Sequence, residues 1–298
     1  MSNVSKTSAS ETATYSLVSD LKLLFKLRLS HLVVFSSLVA YALAAEEVKM
    51  SSLFLLALGG YLVTWSANAL NQVLERDFDK LMTRTSNRPL PTGRMSVSTA
   101  VLAAGLLSLC GISVLALFDP LTALLGTLSL ISYAFIYTPM KRVSPVAVII
   151  GAVPGALPTL IGCVAAQDGK LTALGLALFG IQFFWQFPHF WAIAWLGHED
   201  YSRAGFRLLP SKSGELDSEV GLQAFLYALT LLPISLIPYF VGEAGLISAI
   251  VLTLTNVAYI WYAWQLHKKC EREAAKKLMF FSFLHLPLVL LVLLADKI

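Results

Sequence analysis

The chain has 298 residues, 57% of them hydrophobic and only 13% charged, with a mean hydropathy of +0.72. A soluble domain carries about 25% charged residues, so this balance excludes an ordinary soluble protein and points to a membrane-spanning one. The formal net charge of +4 is small, no nucleic-acid partner is expected, and Cys110, Cys163 and Cys270 have neither metal-ligand spacing nor the density of a disulfide framework.

In chain order, residues 1–16 are polar and rich in Ser and Thr, with no apolar core of a signal peptide. Residues 1–20 are expected to form a disordered cytoplasmic tail, and residues 21–298 one transmembrane domain. A spanning helix needs about 20 mostly apolar residues. Nine runs qualify: 28–45, 52–74, 97–117, 120–139, 144–166, 170–196, 222–241, 243–266 and 277–295. The fold expected is all-α, a polytopic membrane protein of nine transmembrane helices. Prolines such as Pro154, Pro158 and Pro287 are tolerable there because neighbouring helices can satisfy the freed backbone groups.

The connections alternate in charge. Of the 22 Lys and Arg residues, 19 fall on the side that holds the N-terminus, and only Lys49, Lys170 and Lys297 on the other. The positive-inside rule makes the basic side cytoplasmic, and nine spans put the C-terminus opposite it. The two long connections, 75–96 and 197–221, lie on the basic side. Loops on a rigid scaffold carry function, so the chemistry is expected there.

The second span ends in NQVLERDFD. Asn71, Glu75 and Asp79 stand four apart, which on a helix gathers them on one face over about 12 Å. Carboxylates at a membrane boundary usually face a cavity or a partner. These hard oxygen donors suit Mg²⁺, which typically keeps waters and shares one or two carboxylates with substrate phosphates. A solvated rim, with ion pairs to Arg76, Lys80 or Arg84, fits the spacing as well. The continuation KLMTRTSNRPLPTGR places Arg84 and Arg88 four apart beside Asn87. Guanidinium forks match phosphate oxygens, so a metal-bridged diphosphate would use both halves of this segment.

In YTPMKRVSP, Lys141 and Arg142 either steer an anionic substrate or only set topology. The next segment, GAVPGALPTLIG, reads as a kinked, closely packed helix. The sixth span ends FFWQFPHFWAIAWLGHEDYSRAGFRLLP. There His189 lies among Phe183, Phe184, Trp185, Phe187, Phe190, Trp191 and Trp195, either packed as a satisfied core histidine or lining a wall for a large flat ligand. His198, Glu199, Asp200 and Tyr201 follow, then Arg203 and Arg207, a second acidic-then-basic loop on the same side. His31 is ambiguous in the same way as His189, His285 reads as structural, and His267 as solvated.

These four segments resemble the intramembrane prenyltransferases of the UbiA superfamily, over essentially the whole chain from about residue 20. PHFWAIAW followed by EDY points to the branch that acts on haem. The resemblance implies helices around a central cavity, two aspartate-rich motifs at its cytoplasmic mouth, Mg²⁺ and an isoprenyl diphosphate. The superfamily's first motif is N-x₃-D-x₃-D, in which Glu75 here replaces the middle Asp and keeps its charge. The implied catalytic residues are Asn71, Glu75, Asp79, Arg84 and Arg88. The implied metal ligands are Asn71, Glu75, Asp79 and Asp200. Substrate contacts are implied for Asn87, Lys141, Arg142, His189, His198, Asp200 and Tyr201. The second motif departs from the pattern: Leu196 and Ala204 flank Asp200 at four residues, which leaves His198, Glu199, Tyr201 or Lys212 to supply contacts.

The implied reaction moves the farnesyl group of farnesyl diphosphate to a vinyl group of haem B, with water addition, giving haem O. The implied setting is a bilayer, as in a bacterial inner membrane, with downstream haem-modifying or oxidase-assembly proteins as partners. Two other readings stay open. One is prenylation of an aromatic acid or quinone precursor. The other is a transporter with ion-coupling carboxylates, although such sites lie near the midplane rather than at helix ends on one side.

Overall fold

The computed structural model describes residues 16–211 and 214–298. Among these residues it is helical apart from turns and one isolated β-bridge, Ala244 to Lys297. Most of the expected tail, and Lys212, lie outside the described residues. Residues 17–20, read as tail from their composition, instead open the first helix, α1 (Leu17–Leu24). Asp20 is buried, and Arg94 Nη2 lies 2.8 Å from its Oδ1. That anchor is 74 residues away in sequence, so local composition could not reveal it.

The remaining helices are α2 (Leu27–Ala44), α3 (Met50–Asp79), α4 (Val97–Leu115), α5 (Pro120–Met140), α6 (Ala147–Ala166), α7 (Ala173–Leu196), the short α8 (His198–Arg203), α9 (Ser218–Phe240), α10 (Leu246–Lys269) and α11 (Arg272–Ala295). Among the described residues, eight of them, all but α1, α7 and α8, are long and apolar enough to cross a membrane. The ninth expected span is α7. Its 24 residues reach about 36 Å, but buried Gln182, Gln186 and His189 dilute its apolar run. Side chains start several helices by accepting backbone N–H groups: Ser96 from Thr99, Asp119 from Thr122, Thr172 from Gly175, and Asp217 from Glu219.

Two hydrophobic clusters organise the bundle. One joins α3, α4, α5 and α6 through residues such as Leu56, Val63, Leu115 and Leu160; the other joins α7, α9, α10 and α11 around Phe187, Leu252 and Tyr259. Helix α2 packs against α6 and α3 and also touches α11, so it closes the gap between the halves. Leu102, Leu106, Leu109, Ile247, Ile250 and Leu254, on α4 and α10, face outward. In a membrane such surfaces meet lipid tails.

Two backbone irregularities shape the interior. Pro158 in α6 frees the carbonyl of Pro154, and Ser129 Oγ of α5 donates to it at 3.3 Å. Within α5, residues Ser132–Tyr137 are wound as a π-helix, in which Thr138 Oγ1 donates to the Tyr133 carbonyl at 2.9 Å. Single-turn π segments often mark functional sites; this one presents Tyr133 and Tyr137 to the centre of the bundle. Gly151 of α6 makes room for it, because a Cβ there would come within 2.6 Å of the Tyr137 ring.

Candidate active site

Helix α3 runs 30 residues, about 45 Å, and does not stop at residue 74 as its composition suggested. It continues to Asp79 because its polar residues find partners. Gln72 Nε2 donates to the carbonyls of Leu23 and Leu24 at 2.9 and 2.8 Å, and Asn68 Nδ2 to that of Phe25 at 3.1 Å. The α1–α2 link is thereby held against the α3 face that bears the motif.

Asn71, Glu75 and Asp79 are all buried, and each is met by a cation. Lys26 Nζ donates to Asn71 Oδ1 at 2.6 Å, while Asn71 Nδ2 donates to Thr138 Oγ1 at 3.0 Å. Lys141 Nζ donates to Glu75 Oε1 at 2.7 Å. Arg88 Nη1 donates to both oxygens of Asp79, at 2.9 and 2.8 Å. Thr85 Oγ1 donates to the Asp79 carbonyl at 2.9 Å and ties the loop to the helix end. Three cations against two carboxylates leave this pocket with an excess of one positive charge.

The environment sets the two lysines differently. Burial pushes Lys26 well below the usual lysine range, helped by the nearby Arg88 charge. Burial is the largest influence on Lys141 and works against its cation, but the Glu75 carboxylate together with Tyr137 and Tyr133 outweighs it and holds Lys141 above the usual range. An incoming anion would favour the charged form of Lys26, since an opposite charge nearby favours ionisation.

Behind this charged layer lies an apolar cavity of about 260 Å³, bounded by α2, α3, α5, α6, α7 and α11. Tyr133 and Tyr137 line it and also touch the charged layer: Lys26 Nζ lies 3.4 Å from the Tyr133 hydroxyl, and Lys141 Nζ stands 4.5 Å above the Tyr137 ring. His189 lines the cavity on α7, its Nδ1 2.6 Å from Ser282 Oγ of α11 and its ring stacked on Trp185 at 4.8 Å.

The second loop is arranged differently. Asp200 Oδ1 accepts from the backbone N–H of Thr83 at 3.2 Å, and Oδ2 from that of Arg84 at 3.3 Å. Desolvation opposes its charge, but these two N–H groups, with the Thr83 side chain and Arg203, hold its carboxyl below the usual range. Arg84 Nη2 donates to the Tyr201 hydroxyl at 3.1 Å. The two acidic-then-basic loops are thus clasped together. Arg84 sits on the outside of that clasp, while Arg88 reaches the buried carboxylate. Asn87 is exposed, and its carbonyl accepts from Arg94. Arg142 stacks 3.9 Å over the Phe78 ring, and with His198 and Tyr201 it lines an outer polar cavity of about 780 Å³. His198 Nε2 is 3.5 Å from Glu215 Oε2.

Among the described residues no group of three or more His, Cys, Asp and Glu side chains is gathered closely enough to hold a metal on its own. The donors at the mouth are two hard carboxylates on one helix face beside an excess of cations. That set fits a Mg²⁺ completed by water and by a phosphate-bearing ligand. Sequence reasoning missed Lys26, which looked like one of several topological charges, and Tyr133, Thr138 and Ser282, which carry no local signal.

The chain matches the model of the UbiA prenyltransferase family over residues 33–285. Protoheme IX farnesyltransferase of Christiangramia forsetii is 44% identical over 286 residues, 95% of this chain and 94% of that protein. The same-named proteins of Cytophaga hutchinsonii and Flavobacterium psychrophilum are 44% and 42% identical, over 92% and 95% of this chain and 96% and 95% of their own lengths. Among solved structures, a digeranylgeranylglyceryl phosphate synthase superposes with a TM-score of 0.79 at 18% identity, over 94% of this chain and 98% of that one. A UbiA homolog from Archaeoglobus fulgidus bound to DMAPP and Mg²⁺ superposes with a TM-score of 0.68 at 16% identity, over 92% of this chain and 99% of that one.

Proposed function

The chain belongs to the UbiA prenyltransferase family, and we propose that it transfers the farnesyl group of farnesyl diphosphate to a vinyl group of haem B, giving haem O and diphosphate. The observation that carries this reading is the shared wall. Tyr133 and Tyr137 belong at once to a cation-rich mouth and to an apolar cavity. A substrate with a charged diphosphate head and a long hydrocarbon tail needs those two environments side by side.

Lys26, Lys141 and Arg88 bind the diphosphate oxygens and stabilise the negative charge that grows as the leaving group departs. Glu75 and Asp79 would hold Mg²⁺, which when bound supplies further neutralisation of that charge. Asn71 is positioned beside them by Lys26 and Thr138. The C1–O bond of farnesyl diphosphate breaks, and diphosphate takes the electron pair. The haem vinyl group forms the new C–C bond with C1; water then adds to the resulting cation and gives up its proton. The cavity keeps water from the allylic cation before the vinyl is in place, and the faces of Tyr133 and Tyr137 favour cationic character beside them. His189, on the cavity wall, contacts the haem. The protein works in the bacterial inner membrane with its N-terminus in the cytoplasm, and residues 17–298 act as one catalytic domain.

The test is to incubate the purified protein with haem B, farnesyl diphosphate and Mg²⁺ and weigh the haem product. A mass gain of one farnesyl group plus one water is expected. Unmodified haem, together with prenylation of 4-hydroxybenzoate when it replaces haem B in the same assay, would overturn the choice of acceptor.

A further inference from the structure

Ser282 sits on α11, buried, across the cavity wall from His189. Its hydroxyl makes two short contacts: Met279 O at 2.5 Å and His189 Nδ1 at 2.6 Å. A hydroxyl has one hydrogen. Met279 O is a carbonyl oxygen and can only accept, so the Ser282 hydrogen goes to it. At 2.6 Å the contact with His189 also needs a hydrogen between the two heavy atoms, and the one left is on Nδ1. His189 therefore donates Nδ1–H to Ser282 Oγ. In the neutral ring this leaves Nε2 as a bare lone pair.

The surroundings hold the ring in that pose. Trp185 stacks on it at 4.8 Å, and Phe283 meets it edge-on at 5.1 Å. Trp185 Nε1 donates to the Ser282 carbonyl at 3.1 Å, and the Tyr259 hydroxyl to the Trp185 carbonyl at 3.0 Å. His189 lines the apolar cavity, and among the described residues no protein group bonds its Nε2.

We propose that Ser282 is a positioning residue that locks His189 in the Nδ1–H tautomer, so that Nε2 serves as an axial ligand to the iron of the haem substrate. This rests on haem being the acceptor. A metal-binding histidine usually donates its other ring N–H to a fixed acceptor, which sets its tautomer and orientation, and loss of that acceptor typically lowers metal affinity about tenfold to a hundredfold.

The experiment has two arms. In the haem-free protein labelled with ¹⁵N-histidine, with His189 assigned by comparison with His189→Ala, Nδ1 should resonate as a protonated nitrogen and Nε2 as a bare one. Ser282→Ala should mix or reverse them, and Ser282→Thr, which keeps the hydroxyl, should restore them. In the second arm, haem B is titrated into each protein and read by its Soret band. Wild type and Ser282→Thr should show imidazole-ligated haem, Ser282→Ala a weakening of about tenfold or more, and His189→Gly recovery of the band on adding imidazole. A protonated Nε2 in wild type overturns the tautomer lock. The expected tautomer with Soret bands identical in wild type and His189→Ala overturns the iron-ligand role. Absence of haem binding in wild type instead overturns the choice of haem as acceptor, whatever the ¹⁵N spectra show.

Discussion

Asp79 and Glu75 are carboxylates buried with a single cationic partner each, and this makes the partners as informative as the acids. Removing one member of a buried pair leaves an uncompensated charge and destabilises by about 3–5 kcal/mol. Arg88→Ala and Lys141→Ala should therefore lower the thermal midpoint in detergent. Adding Asp79→Asn to the first or Glu75→Gln to the second should recover most of the loss without recovering activity. Asp79→Asn alone should lower turnover about 10²–10³-fold, the scale of losing one preorganised electrostatic group, while retaining the fold by near-ultraviolet circular dichroism. Lys26→Met should raise KM for farnesyl diphosphate more than it lowers kcat, because Lys26 is the cation without a carboxylate of its own. The sequence made the acids legible through their four-residue spacing. Lys26 was hidden, because it reaches Asn71 across 45 residues from a link with no pattern.

At the scale of elements, the site depends on how closely α2, α3, α5 and α6 approach. Gly162 of α6 lies against the backbone of α2, and a Cβ there would collide with the Ser37 carbonyl oxygen. Small residues at such crossings let backbones pack tightly in membranes. Gly162→Ala should push α2 outward and lower both folded yield and thermal midpoint, measured by fluorescence-detected size-exclusion chromatography after heating. The clasp between the two loops has a pH signature. Asp200 has a folded pKa below its unfolded one, so its stabilisation is present above about pH 4, the unfolded value, and is lost as pH falls through the folded value. Hydrogen exchange at the Thr83 and Arg84 amides should accelerate in that acid window, and Asp200→Asn should remove the step. The helices were legible from apolar run length, apart from their ends. Helix α3 overran its expected end because paired polar groups let a helix continue where composition alone would stop it.

For the whole molecule, we propose that the side holding 19 of the 22 basic residues, with the charged mouth and both long loops, is the cytoplasmic one. Cys270 lies exposed in the basic connection between α10 and α11 and offers a direct check. In a Cys110→Ser background, a membrane-impermeant maleimide should label Cys270 in inverted vesicles and not in right-side-out ones. Six helices enclose the cavity, while α4, α9 and α10 lie outside it. On α7, which lines the cavity, Gln182, Gln186 and His189 are buried, with Gln182 Nε2 donating to Gly155 O at 2.8 Å and Gln186 Nε2 to Ala152 O at 3.1 Å on α6.

The sequence by itself determined the all-helical membrane architecture, the basic side that carries both long loops and the acidic face of α3, because each follows from a local count: apolar run length, basic residues per connection, and spacing along a helix. Only the tertiary structure decided which cation meets which carboxylate, that Asp200 clasps the first loop by its backbone, and that His189 meets Ser282 across α7 and α11. Those depend on pairs distant in the chain, and the hydrogen-bonding capacity of one side chain is assigned only when every neighbour competing for it is in place.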